Sequence, residues 1–179
     1  IFRKDTMKNY LVIGNPIDHS LSPKLHNAWL KSHNINAFYD KQKLEKNEIE
    51  KFIQKVKQQK IAGANVTVPF KKSVIPYLDK LSFEAEKTQS VNTIVFENDI
   101  LVGHNTDVIG FTRAIVDLNF KLKNKKIFIL GAGGVVPSII FALNKMEVSQ
   151  ITISNRTKEK AENLKNNFKN LKIVDWGHL

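Results

Sequence analysis

Short apolar runs alternate along this chain with stretches of helical period, separated by polar turns. Tyr10 to Ile13 is apolar and is broken by Gly14-Asn15-Pro16, which predicts a strand. Ser22-Pro23 predicts a helix N-cap followed by the first helical residue, with the helix running to about Ser32. Phe38 to Asp40 reads as a second strand. Ile49, Phe52, Ile53 and Val56 fall on a 3.6-residue period and predict a helix with one buried stripe. Ala64 to Val68 reads as a third strand ended by Pro69, with Asn65 and Thr67 on one face, and Leu78 to Gln89 reads as helical. Val91 to Glu97 and Ile100 to Gly103 predict strands flanking an Asn98-Asp99 turn. Gly110 to Leu118 predicts a helix, and Lys121 to Lys125 is a polar link.

The pattern then restarts. Ile127 to Leu130 predicts a compact buried strand, Gly131-Ala132-Gly133-Gly134 a tight turn, and Val135 to Met146 an apolar helix. Gln150 to Ser154, Lys158 to Lys169 and Leu171 to Val174 predict strand, helix and strand. Strands alternating with helices specify an α/β protein with largely parallel strands. A domain boundary is expected between Asp107 and Lys125.

Composition narrows the classes. The 179 residues carry a net charge of +11, but only Arg3, Arg113 and Arg156 among the 28 basic residues are arginine. Bidentate phosphate and base contacts favour Arg, and the lysines are spread along the chain. The charge therefore reads as a solvated surface, not a nucleic-acid footprint. The absence of cysteine excludes disulfides, thiolate metal sites and cysteine nucleophiles. No apolar run approaches the roughly 18 residues of a spanning helix, and Ile1 to Thr6 lacks the apolar stretch of a signal peptide. A cytoplasmic protein is expected, with Met7 a candidate natural start. His19, His26, His33, His104 and His178 show no paired ligand spacing, so no metal site is expected.

Strand, glycine turn and helix in succession form the first half of a dinucleotide-binding unit. Gly131 and Gly133 match the first two glycines of G-x-G-x-x-G, while Val136 occupies the third place. A helix start offers N–H groups and a positive dipole end to a pyrophosphate. The next strand ends in Ser154-Asn155-Arg156-Thr157, without the carboxylate that binds a ribose 2′-hydroxyl in NAD sites. Arg156 suits a 2′-phosphate, which favours NADP. A plain turn, a surface arginine and a helix capped by Thr157 would give the same residues.

Three polar clusters lie where strands end, the usual ligand position in open α/β sheets. Ser20 and Ser22 beside a helix start can donate to a carboxylate, or Ser22 can serve as a cap. Lys71, just past Asn65-Val66-Thr67-Val68-Pro69, can orient a carbonyl and assist proton transfer, or be one more surface lysine. Asp107, after Gly103-His104-Asn105-Thr106, can act as an acid/base partner or cap the helix that follows.

Gly14-Asn15-Pro16, Ser20-Leu21-Ser22-Pro23, Asn65 to Lys71, Val91-Asn92-Thr93, Asn105-Thr106-Asp107, Gly131 to Gly134 and Asn155-Arg156-Thr157 together resemble, in order, the motifs of shikimate dehydrogenases. The resemblance implies an N-terminal α/β substrate-binding domain at 7–107 and a partial Rossmann-like NADP-binding domain at 108–179. It implies reduction of 3-dehydroshikimate to shikimate by NADPH, with Lys71 and Asp107 as catalytic pair. Ser20, Ser22 and Thr67 would take the carboxylate, Asn92 and Asp107 the ring hydroxyls, and Asn65 and Thr106 the pocket wall. Gly131, Ala132, Gly133, Gly134 and Val135 would meet the pyrophosphate, and Asn155, Arg156, Thr157 and Lys160 the 2′-phosphate. A monomer or homodimer with a small-molecule substrate is expected, without nucleic acid or membrane partners. The alternatives are a quinate/shikimate dehydrogenase with relaxed cofactor use and a chain that binds substrate without turnover. Val108 and Ser90 depart from the Gly and the small apolar or Gly residue usual at their places. The family's C-terminal segment has no counterpart here, and a half-built sheet is expected to leave an open edge.

Overall fold

The computed structural model describes residues 7–177, so the expectations for Ile1 to Thr6 and for His178 lie outside the described residues. The chain is α/β and forms two compact units: 7–82 with 91–104, and 83–90 with 105–177. The sequence-based division at 107/108 is a single cut, whereas these units exchange the segment 83–90.

The first unit is one six-stranded sheet. Its strands are β1 (Lys8–Gly14), β2 (Ala37–Lys43), β3 (Gly63–Val66), β4 (Lys80–Leu81), β5 (Thr93–Glu97) and β6 (Ile100–His104), in the order β2-β1-β3-β5-β6-β4. β1 pairs in parallel with β2 and β3, while β5 runs antiparallel to β3 and β6. Helix α1 (Ser22–Ser32) and helix α2 (Ile49–Lys57) accompany it. The predicted stripe of α2 is buried throughout: Ile49, Phe52, Ile53 and Val56 are each at most 2% exposed. Each contributes about 1.5–3 kcal/mol of transfer free energy as an upper bound. The Asn98-Asp99 turn has φ of 49° and 63°, the two positive values of a type I′ hairpin.

Three local expectations are corrected. Leu21 holds the N-cap position of α1, Ser22 is its first helical residue, and the Ser20 hydroxyl accepts the Ser22 N–H at 3.3 Å. β3 stops at Val66, because Thr67 and Phe70 turn back on one another through the Phe70 N–H to Thr67 carbonyl bond. Leu78 to Gln89 is not one helix. Asp79 and Ser82 bond to Leu101 and Gly103, which draws Lys80–Leu81 into the sheet as an edge strand, and only Phe83–Thr88 is helical (α3).

The second unit holds three parallel strands, β7 (Lys126–Leu130), β8 (Gln150–Ser154) and β9 (Leu171–Val174), in that order. Its further helices are α4 (Asp107–Asp117), α5 (Val136–Lys145) and α6 (Lys158–Glu162). Ile140, Leu143, Ile151, Ile153 and Ala161 form the centre of its core. Residues 83–90 belong to this unit because Phe83 meets Phe141 edge to face and Glu84 pairs with Lys145 at 3.7 Å. β7 is not the buried strand expected. It lies at the sheet edge, with Phe128 44% and Leu130 62% exposed. α6 ends at Glu162 and continues only as a 3-10 turn over Asn163–Asn166, shorter than predicted.

Val108 is buried in this unit, so its extra side chain is absorbed by packing. Ser90 is also buried, and its hydroxyl has no hydrogen-bond partner. An unsatisfied buried hydroxyl costs about 1–3 kcal/mol. Ser90→Ala is therefore expected to raise the thermal midpoint, by about 2–4 °C for each kcal/mol recovered. A lowered midpoint in calorimetry would show that the hydroxyl is satisfied.

Candidate functional site

In the first unit the polar motifs leave the sheet at one edge. β1 and β3 are parallel neighbours, so the loops after Gly14 and after Val66 emerge side by side. The Asn15 N–H donates to the Val68 carbonyl at 3.0 Å, and the Thr67 N–H to the Ile13 carbonyl at 2.9 Å. Gly14 makes this approach possible. A Cβ there would stand 2.6 Å from the Thr67 methyl and 3.0 Å from the Val68 carbonyl. The first loop then carries Ser20 and Ser22, and the second carries Thr67 and Lys71. β5 runs the other way, so Asn92 and Thr93 start at this same edge. The Val91 N–H donates to the Lys71 carbonyl at 2.8 Å, and the Asn92 N–H to the His104 carbonyl at 2.9 Å. Backbone pairing thus brings Asn65, Thr67, Lys71 and Asn92 together, while Ser20 and Ser22 lie further along the chain that leaves β1 beside them.

Asn65 sits in β3 opposite Thr93. Its Oδ1 accepts from the Tyr39 hydroxyl at 2.7 Å, and its Nδ2 donates to the Asn92 carbonyl at 3.3 Å and to Thr93 Oγ1 at 3.1 Å. The Thr93 hydroxyl donates to Asn92 Oδ1 at 3.0 Å. Tyr39 is 3% exposed, and burial pushes its hydroxyl up to about 12. It is accordingly a protonated donor across the physiological range. Asn27 clasps the Tyr39 backbone through both amide atoms, at 2.7 and 2.9 Å, and His26 stacks on its ring at 4.1 Å. Burial lowers the His26 pKa and keeps this imidazole neutral near pH 7.

A cleft of about 350 Å³ opens on the sheet face between α1 and β5, lined by Tyr10, His26, Leu30, Tyr39, Asn65 and Thr93 among others. Ser20, Ser22, Thr67, Lys71 and Asn92 do not line it. The strand ends, where open α/β sheets place ligands, mark the candidate site better than this largely apolar cleft.

Thr106, Asp107 and the predicted cofactor residues belong to the second unit. Asp107 is the first residue of α4. The helix is capped by Asn105, whose Oδ1 accepts the Asp107 N–H at 3.0 Å and faces the Val108 N–H at 3.4 Å. Asn105 Nδ2 reaches Thr88 Oγ1 at 3.0 Å, the Ser90 carbonyl at 2.9 Å and Ser138 Oγ at 2.8 Å. Capping therefore falls to Asn105, and the Asp107 carboxylate is not required for it.

The glycine turn follows β7 as predicted. Gly131 has φ of 104°, a left-handed value that glycine adopts without strain. Its N–H donates to the Ser154 carbonyl at 2.8 Å, and the Ala132 N–H donates to Asn155 Oδ1 at 2.9 Å. Gly133, Gly134 and Val135 are exposed and lead into α5, whose first N–H groups are already engaged: Val136 donates to the Gly133 carbonyl at 3.0 Å, Ser138 to the Val135 carbonyl at 3.0 Å, and Pro137 has no N–H. Open space faces the Cα of both Gly131 and Gly133. The open space at the two glycines leaves room for a pyrophosphate. Arg156, Thr157 and Lys160 are exposed after β8, and Asp175 pairs with Lys158 at 2.7 Å. That hydrogen bond and the Asp175 charge raise the Lys158 pKa. Thr157 holds the N-cap position of α6 without a side-chain capping bond, and Asn155 Nδ2 bonds its carbonyl at 2.7 Å.

Sequence reasoning assigned no role to Tyr39, Thr93, Asn105 or Ser138. Thr93 and Asn105 lay inside quoted motifs. An Asn two places before a helical Asp is a legible cap, whereas Tyr39 and Ser138 are joined to the site only by tertiary packing. Among the described residues no helix is long and apolar enough to cross a membrane, and no cluster of His, Asp and Glu could hold a metal ion.

Two family models match the chain in succession. The family described as "Shikimate dehydrogenase substrate binding domain" matches residues 12–94, and the family described as "Shikimate / quinate 5-dehydrogenase" matches residues 113–176. A protein of Pelagibacter ubique named shikimate dehydrogenase (NADP(+)) is 54% identical over 170 residues, covering 95% of this chain and 64% of its own length. The crystal structure of shikimate dehydrogenase from Aquifex aeolicus superposes with a TM-score of 0.87 at 40% identity, covering 96% of this chain and 64% of that one. That of shikimate 5-dehydrogenase from Thermus thermophilus, in complex with NADP(H) and shikimate, superposes with a TM-score of 0.82 at 32% identity, covering 94% and 63%. The chain thus spans a little under two thirds of the length of these relatives.

The Asn105 junction yields a stability test. Asn105→Ala removes both the cap and the Nδ2 donors, and is expected to cost about 3–5 kcal/mol in chemical denaturation. Asn105→Asp keeps the cap acceptor but sets a carboxylate against the Ser90 carbonyl. It is expected to be no better than alanine. Wild-type stability in the Asp variant would show that only the cap matters.

Proposed function

The chain belongs to the shikimate dehydrogenase family, and we propose that it carries the substrate and NADP sites for reversible reduction of 3-dehydroshikimate to shikimate, in the cytoplasm, on the route to chorismate and the aromatic amino acids. The observation that supports this reading is the backbone pairing that joins the loops after β1 and β3 to the start of β5, and with them the segments bearing Thr67, Lys71 and Asn92. Hydroxyls, an amide and a lysine at strand ends suit a small ring bearing a carboxylate and hydroxyls.

Each residue has a role in that reading. Ser20 and Ser22 donate to the substrate carboxylate, with Thr67 beside them. Since the Ser20 oxygen accepts from the Ser22 N–H, its proton is available to a ligand. Asn92 and Asp107 bind ring hydroxyls, and Asn65 and Thr106 complete the wall. Bound NADPH supplies hydride to the carbonyl carbon. Lys71 stabilises the negative charge that grows on the carbonyl oxygen and gives it a proton. Asp107 acts with Lys71 as the acid/base pair and orients the neighbouring hydroxyl.

On the cofactor side, Gly131 to Val135 meet the pyrophosphate. Asn155, Arg156, Thr157 and Lys160 meet the 2′-phosphate. Arg156 at the end of β8, where NAD sites carry an acid, favours NADP. Residues 7–107 form the substrate-binding part and 108–179 the NADP-binding part. The partner is a small-molecule substrate, with no nucleic acid or membrane, and the protein is a monomer or homodimer.

The test is shikimate-dependent NADP reduction, followed by the absorbance of the reduced nicotinamide. Lys71→Ala is expected to lower kcat by about 10²–10⁴-fold while shikimate still binds. Arg156→Ala is expected to weaken NADP binding about 10- to 100-fold and to leave NAD binding nearly unchanged. Silence from the wild-type chain, repeated when it is joined to the C-terminal third of the Pelagibacter relative, would overturn the proposal.

A further inference from the structure

The carboxyl ends of β7, β8 and β9 are laced together in that order. The Gly131 N–H donates to the Ser154 carbonyl at 2.8 Å and the Ala132 N–H to Asn155 Oδ1 at 2.9 Å, which joins the glycine turn to the turn after β8. Ser154 Oγ donates to the Asp175 carbonyl at 3.3 Å, and Lys158 Nζ pairs with the Asp175 carboxylate at 2.7 Å, which joins the turn after β8 to the chain leaving β9. β8 and β9 are parallel, with Ser154 opposite Val174. Arg156 and Trp176, each two residues past those partners, therefore leave the sheet side by side. Both are exposed, Trp176 at 54%, and the chain bends directly after the indole at Gly177, with φ of 90°.

Given the NADP site proposed above, we infer that Trp176 is an adenine-binding residue: its indole takes the face of the base whose ribose carries its 2′-phosphate at Arg156. The order of the three turns matches the order of groups along the adenosine half of the cofactor. The pyrophosphate lies at the glycine turn after β7 and the 2′-phosphate at Arg156 after β8. The base is bonded to the ribose carbon next to the one that bears the 2′-phosphate, and Trp176 is the residue beside Arg156 on the next strand. Neighbouring strands are about 4.8 Å apart, so a step along the sheet edge is of the size of a step along the nucleoside. An indole offers a large flat π-face, and stacking on a base needs no hydrogen-bond partner. The contact is blind to the 2′-phosphate. It strengthens NADP and NAD alike, while Arg156 supplies the discrimination between them.

Trp29 and Trp176 are the two tryptophans of the chain, so Trp29→Phe leaves Trp176 as the sole indole fluorophore. Adenosine 2′,5′-bisphosphate, which carries base and 2′-phosphate without the nicotinamide, is expected to quench that fluorescence. Nicotinamide mononucleotide at the same concentration is not. Trp176→Ala is expected to weaken NADP and NAD binding by the same factor of about 10 in calorimetric titration, with the thermal midpoint unmoved because the side chain is exposed. Trp176→Phe, with a smaller ring, is expected to fall between alanine and wild type. Binding of the bisphosphate without quenching, an NADP affinity of Trp176→Ala within about twofold of wild type, or a phenylalanine variant as weak as alanine would overturn the assignment of Trp176 and leave the NADP site standing. If the chain alone binds no NADP, the same variants are measured in the chain joined to the C-terminal third of the Pelagibacter relative. Absence of binding there overturns the proposed cofactor site and the role of Trp176 with it.

Discussion

The close approach of two loops behind Gly14 is the constraint on which the first unit depends. β1 and β3 pair in parallel with Ile13 opposite Val66, so their chains leave the sheet together. With a Cβ at residue 14, the Thr67 methyl and the Val68 carbonyl would have to move, and one of these is backbone. Glycine lets the Asn15 N–H reach Val68, and this brings the segment bearing the serines and the segment bearing Lys71 to one place. Parallel pairing supplies direction, the missing side chain supplies proximity, and no charged group is needed to draw the loops together.

Two asparagines, one in each unit, show how a side-chain amide is satisfied inside the fold. Asn65 satisfies its amide among Tyr39, Thr93 and the Asn92 carbonyl. Asn105, 2% exposed, satisfies its own among Thr88, Ser90, Ser138 and the start of α4. A buried amide that makes its hydrogen bonds fixes geometry strongly, since any rearrangement leaves several groups unpaired. Ser90 is the counterexample, with a satisfied carbonyl and an unsatisfied hydroxyl.

Much of this was legible in the sequence. The α2 stripe, the Asn98-Asp99 hairpin, the glycine turn and strands β8 and β9 follow from periodicity and turn chemistry, which are local. The failures were decided elsewhere in the chain. Lys80–Leu81 became a strand because Val102 and Gly103 offered an open edge, which overrode a helical pattern. β7 reads as a buried strand because its residues are apolar, but its burial depends on which neighbours flank it in the sheet. For the candidate site, the motifs name the segments, while the side chains that brace them stay hidden. Tyr39 lies 26 positions from Asn65, and no local rule joins them.

The motifs also divide between holding and acting, and the division follows from hydrogen-bond capacity. In Asn105-Thr106-Asp107 the cap is made by Asn105, so the Asp107 carboxylate, at the first position of a helix whose dipole favours negative charge, is not committed to capping. In Ser20-Leu21-Ser22 one hydroxyl accepts from the backbone and keeps its proton to give. In Asn155-Arg156-Thr157 the Asn closes on the glycine turn and on the Thr157 carbonyl, while Arg156 stays exposed. In the Asn105 and Asn155 motifs an asparagine does the capping or closing, and the neighbouring charged side chain does not. Substituting either asparagine should therefore appear in stability and geometry together.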